Sequence, residues 1–124
     1  MAKAETRRKT RLPKQVSLAI RAASDKQANE LTLLDLRKAG GFTDYFLICS
    51  GGNSRQIRAI ADGIRDALDA DGAKPAHVEG YDKSEWILLD YFDFIVHIFG
   101  KETRTFYDLE RLWANAEPVS VDVA

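Results

Sequence analysis

The stretch YFLICSGGNSRQIRAIADGIRDAL, residues 45–68, decides the fold. Its first part, Tyr45 to Ser50, is a mainly apolar run that reads as a strand buried on both faces, and Gly51-Gly52 ends it. Then the period changes. Ile57, Ile60, Ala61, Ile64 and Leu68 recur at helical spacing, while Arg58, Asp62, Arg65, Asp66 and Asp69 fall on the opposite face. Asn53 or Ser54 caps the start of this helix and Gly72 closes its end. A buried strand that turns through glycines into an amphipathic helix opens a crossover: the helix joins the second strand to the third and allows one parallel, right-handed crossover there, with the rest of the sheet antiparallel.

Working outward, Pro13 starts a short helix whose face is Val16, Ala19, Ile20 and Ala23, ending before about Gln27. Leu31 to Leu36 reads as a strand buried on both faces, bounded by the turn Lys38-Ala39-Gly40-Gly41. After the central helix come a short strand around Ala76 to Glu79, a strand Trp86 to Asp90 and a strand Phe94 to Phe99. The last two form a hairpin across Tyr91-Phe92-Asp93. Phe106, Leu109, Leu112 and Trp113 mark a C-terminal helix, and Pro118 begins a tail without expected structure. The sum is an α/β (α+β) domain, a five-stranded mixed sheet flanked by helices over residues 14–115, with a basic N-terminal arm at 1–13 and a tail at 116–124.

The 124 residues are enough for one domain, and 45% hydrophobic residues with 30% charged ones suit a packed core rather than a disordered chain. The formal net charge of -1 conceals a division. Residues 1–14 hold Lys3, Arg7, Arg8, Lys9, Arg11 and Lys14 against Glu5 alone, so the remainder of the chain is acidic. An acidic body repels phosphates and favours a basic protein as partner, leaving the arm as the part suited to a minor contact with RNA. The single Cys49 excludes an intramolecular disulfide and a cysteine-based zinc cluster, which fits a reducing cytoplasm. No run of about 18 apolar residues offers a membrane span.

The candidate chemistry is sparse. Ser50-Gly51-Gly52-Asn53-Ser54 has free N–H groups at a helix start but lacks the lysine and spacing of a P-loop. His77 and His97, with Glu79 or Asp90, show no metal-ligand spacing, and Cys49 lies inside an apolar strand where an inert thiol is expected. Asp35, Asp44, Asp90 and Asp93 sit at strand edges, without a D-x-D pair near the glycine turn to hold catalytic Mg²⁺. Trp86-Ile87-Leu88-Leu89-Asp90 is more informative, because alternation puts Trp86, Leu88 and Asp90 on one face and Ile87 and Leu89 on the other. If Ile87 and Leu89 meet the core, Trp86 and Leu88 form an apolar patch beside acids, the anatomy of a protein-binding hot spot; the alternative is a helix covering that face.

Several pieces in order carry a resemblance. Phe42-Thr43-Asp44-Tyr45-Phe46, Ile48-Cys49-Ser50-Gly51 leading to Arg55-Gln56, and His77-Val78-Glu79-Gly80 come first. Trp86, Leu88-Leu89-Asp90-Tyr91, Val96-His97-Ile98-Phe99 and Arg104-x-Phe106-Tyr107-x-Leu109-Glu110-x-Leu112-Trp113 follow. Together they resemble the Iojap family, the ribosomal silencing factors, over roughly residues 14 to 115. The resemblance implies a homodimer with a fold related to nucleotidyltransferases but without their catalytic acids. It further implies a non-enzymatic factor without a cofactor, which binds a ribosomal protein on the intersubunit face of the large subunit. Such a factor blocks subunit joining and represses translation when nutrients are short. Trp86 matches the family's contact tryptophan, and Glu79, Leu88, Asp90 and Tyr91 lie close to it in the motif. Phe92 departs from the glycine common in the hairpin, so a turn with positive φ is strained there or the turn is of another type. Two other classes stay open on the residues alone: a divergent nucleotidyltransferase, and a dimeric protein-binding module unrelated to ribosomes.

Overall fold

The computed structural model describes residues 12–119; the arm expected over residues 1–13 and the tail's last residues lie almost wholly outside these. The elements run α1 (Lys14–Asp25), β1 (Asn29–Asp35), β2 (Tyr45–Gly51), α2 (Ser54–Ala70), β3 (His77–Glu79), β4 (Trp86–Asp90), β5 (Phe94–Gly100), α3 (Lys101–Tyr107), α4 (Leu109–Leu112) and β6 (Glu117–Val119). One six-stranded sheet has the order β3-β4-β5-β2-β1-β6. Only β2 and β5 pair in parallel, with Tyr45 opposite Phe94 and Ile48 opposite His97; the other pairings are antiparallel. The mixed sheet agrees with the sequence reading, but the parallel partner of β2 is β5, while β3, the strand that α2 leads into, lies at the sheet's edge beside β4.

Strand parity sorts the core into two layers. Leu33, Tyr45, Leu47, Cys49, Ile87, Leu89, Phe94, Val96 and Ile98 point to one side and pack under α1 and α2, whose stripes supply Val16, Ile20, Ile57, Ile60, Ile64 and Leu68. Asn53 caps α2 as expected, its side-chain oxygen accepting from the Gln56 N–H at 2.8 Å. The other side holds Leu34, Phe46, Ile48, Ile95 and Phe99, packed with Leu109, Ala116 and the partly buried Trp113 from the C-terminal region. Tyr107 of α3 reaches Trp86, and the rest of that side over β3 and β4 is half-covered or open.

Three details differ from expectation. Residues 117–119 form β6, with Pro118 opposite Leu34, so the tail begins as a sixth strand; Pro118 fits because an edge strand leaves one side without ladder bonds. The expected C-terminal helix is two short ones broken at Asp108, which adopts the left-handed conformation at φ 48. Leu109 is buried between them, whereas Phe106 and Leu112 face solvent. Finally, β1 is fully buried only in its second half, from Leu33 onward, with Leu31 and Thr32 half-buried and Asn29 and Glu30 exposed.

Candidate functional site

The open side of the sheet brings most of the candidate residues together. In the register of β3 and β4, Glu79 lies opposite Leu88 and His77 opposite Asp90; cross-strand partners share a face, so Glu79, Leu88, Asp90 and Trp86 form one surface at the sheet edge. Ile87 and Leu89 are fully buried on the other side, so they meet the core, and the face of Trp86 and Leu88 is left half-buried, with Tyr107 of α3 against the indole. Trp86 and Leu88 are half-buried and Glu79 is exposed. Gly80 allows the chain to pass from β3 into the next turn, since it has φ +80 and a Cβ there would collide with the Trp86 carbonyl oxygen.

Tyr91 does not join this surface. It continues the parity of Ile87 and Leu89, so its ring is buried in the layer under the helices, stacked on Phe94 at 5.1 Å between centroids. Burial pushes its hydroxyl up to about 12, and that hydroxyl has no hydrogen-bond partner among the described residues.

Trp86 is built into an aromatic row. Its ring stacks on Phe99 at 4.9 Å, meets Tyr107 of α3 at 4.6 Å, and lies 5.9 Å from His97. Its indole N–H donates to Nδ1 of His97 at 3.1 Å. This leaves the imidazole proton on Nε2, which has no partner among the described residues, and burial lowers the His97 pKa to about 3. His97 is thus a neutral acceptor that fixes the indole, with Phe46 edge-on at 4.5 Å on its other flank.

Arg104 holds α3 in place beneath Tyr107. Its guanidinium is nearly buried and donates to Ser50 Oγ at 2.8 Å, Thr32 Oγ1 at 3.1 Å and Glu110 Oε2 at 2.6 Å. Sequence reasoning did not find this support for the tryptophan, although Arg104 and Tyr107 stand one helical turn apart in the motif that carried the resemblance.

Asp90 has a structural task at the edge of the surface. Its Oδ1 accepts from the N–H of Phe92 at 2.8 Å, while the Phe92 carbonyl accepts from the Thr43 hydroxyl at 2.7 Å. Asp93 N–H reaches back to the Tyr91 carbonyl at 2.9 Å, closing a γ-turn around Phe92 at φ 75, the rare and strained kind. The strain expected from a bulky residue in place of glycine is present, and two side chains clamp it.

Elsewhere the chemistry is quiet. Cys49 is buried and its thiol is pushed up to about 12 by that burial, so it is not a thiolate nucleophile near neutral pH. Asp35 is engaged by Arg37, whose guanidinium lies 2.7 Å away and holds the carboxyl below the usual range. Among the described residues no three His, Cys, Asp or Glu side chains are grouped to hold a metal ion. What the site offers is a surface: an indole and a leucine at a sheet edge, with carboxylates at its rim.

Residues 9–124 match the family model "Ribosomal silencing factor during starvation". The chain belongs to this family. A Bacillus subtilis relative named ribosomal silencing factor RsfS is 38% identical over 107 residues, covering 86% of this chain and 91% of that protein. The chloroplastic protein Iojap of Zea mays is 37% identical over 106 residues, covering 86% of this chain and 46% of that longer protein. A crystal structure from Bacillus halodurans, 35% identical, superposes with a TM-score of 0.75 over 85% of this chain and 95% of its own. Membership of the ribosomal silencing factors agrees with the resemblance read from the motifs, and the solved neighbour carries the same architecture.

Proposed function

We propose that the chain is a non-enzymatic, cytoplasmic silencing factor that binds the large ribosomal subunit through a basic ribosomal protein on its intersubunit face. Occupying that face blocks joining of the small subunit and so represses translation. The reading rests on one observation above the others: in a chain of this family, the half-buried Trp86 and Leu88 form an apolar patch between Glu79 and Asp90. An aromatic anchor desolvated at the centre of an interface supplies most of its affinity, and rim carboxylates raise the encounter rate with a basic partner. Tyr91, being buried, serves by packing the turn that carries Asp90. A homodimer enlarges the obstacle, and the basic N-terminal residues add a minor contact to ribosomal RNA.

The experiment is binding to isolated large subunits by Leu88→Arg, which alters a half-buried residue at the border of the second core layer. Affinity falls by at least tenfold on this reading, with the circular dichroism spectrum unchanged; an unaltered affinity in the folded variant removes the patch from the interface.

A further inference from the structure

Two phenyl rings project at one end of the sheet. Phe42 is 77% exposed and Phe92 is 78% exposed. The segments that carry them are bonded to each other, Thr43 Oγ1 to the Phe92 carbonyl at 2.7 Å and the Asp44 N–H to the Asp93 carbonyl at 3.0 Å. The turn holds Phe92 outward at φ 75, with both its N–H and its carbonyl engaged by side chains. Asp44 and Asp93 are exposed and Asp90 half-exposed around this tip, and none of the three joins an ion pair among the described residues.

The chain enters the described structure at the same end. Pro13 and Lys14 line one surface hollow together with Asp93 and Phe94, and Lys14 pairs with Asp71 at 2.9 Å. The residues that precede this point carry Lys3, Arg7, Arg8, Lys9 and Arg11 against Glu5 alone. We propose that the Phe42–Phe92 tip is a docking surface for this chain's own basic segment, Lys3 to Arg11. An arginine guanidinium stacks on a phenyl face and donates to a neighbouring carboxylate at once, which suits a surface made of both. Because the segment is tethered beside its target, the contact forms at an effective concentration in the millimolar range and needs little intrinsic affinity. Salt weakens it, and a polyanion competes for the same arginines. This goes beyond the ribosomal reading and stands without it.

The test uses the full chain and amide chemical shifts at low and high salt, comparing it with the variant Arg7→Gln, Arg8→Gln, Lys9→Gln, Arg11→Gln. At low salt, Phe42, Asp44, Phe92 and Asp93 shift between the two proteins, and in the unsubstituted chain high salt moves them to the variant's positions. In the reverse arm, Phe42→Ala with Phe92→Gly moves the amides of Arg8 to Arg11 to their high-salt positions. Differences confined to residues 12–15, with the tip unmoved, overturn the proposal. So do tip shifts that scale with protein concentration, which assign the contact to a second copy.

Discussion

The indole N–H of Trp86 donates to Nδ1 of His97 across 3.1 Å, joining a half-exposed residue of β4 to a buried one of β5. The bond satisfies the tryptophan's only polar atom from beneath, so the outer edge of the ring is left for contacts that are purely apolar. It also fixes the imidazole as the neutral acceptor, and that has a consequence for pH.

His97 has a pKa near 3 in the fold because burial disfavours its charged form, whereas the unfolded chain titrates near 6.5. Below about pH 6.5 the unfolded state therefore binds the proton that the folded state refuses. Stability is lost progressively as pH falls below about 6.5. His97→Asn retains an acceptor near Nδ1 and removes the titration. Urea unfolding between about pH 7 and 5 has a shallower pH dependence in this variant than in the parent. Equal slopes contradict the assignment.

Arg104 ties α3 to β1 and β2 through Thr32 and Ser50 and sets Tyr107 against Trp86. Arg104→Met removes these charge-assisted bonds and leaves the Ser50 hydroxyl without its donor. The expected cost is about 2 to 3 kcal/mol in urea unfolding. Tryptophan emission changes as well, because Tyr107 no longer packs on the indole. A loss below about 0.5 kcal/mol is what a solvent-exposed ion pair gives, and would place Arg104 outside the core.

Phe92 occupies φ 75, where a side chain costs roughly 1 to 2 kcal/mol and glycine costs almost nothing. Phe92→Gly also deletes an exposed ring that contributes little to the core. The melting temperature is expected to rise by several degrees, about 1 kcal/mol for a domain of this size. A fall on this substitution means that the ring supports the fold.

The elements legible in the sequence are those whose burial repeats. The run Tyr45 to Ser50 and the stripe Ile57 to Leu68 announced β2 and α2, and the alternation through Trp86 to Asp90 separated the two faces of β4 without fixing what covers each. The same parity places Tyr91 inward with Ile87 and Leu89, so its exclusion from the surface was also readable, though its position in the motif pointed the other way. β6 was not readable, since three residues containing a proline have no period. Nor was the break at Asp108, because the apolar spacing of Phe106, Leu109 and Leu112 continues across it while the buried anchor of α3 is a charged residue, Arg104. The support of Trp86 by His97 and Arg104 depends on side chains from three separate elements, which no local pattern encodes.

The central claim is that the chain works by occupying the large ribosomal subunit through the Trp86 and Leu88 surface. Sucrose-gradient sedimentation with purified subunits measures this most directly. The protein is expected to travel with large subunits alone and to reduce the fraction of joined ribosomes when small subunits are added. Trp86→Ala, folded by circular dichroism, is expected to do neither. A protein that stays at the top of the gradient, or that sediments with large subunits yet leaves joining unchanged, contradicts the account.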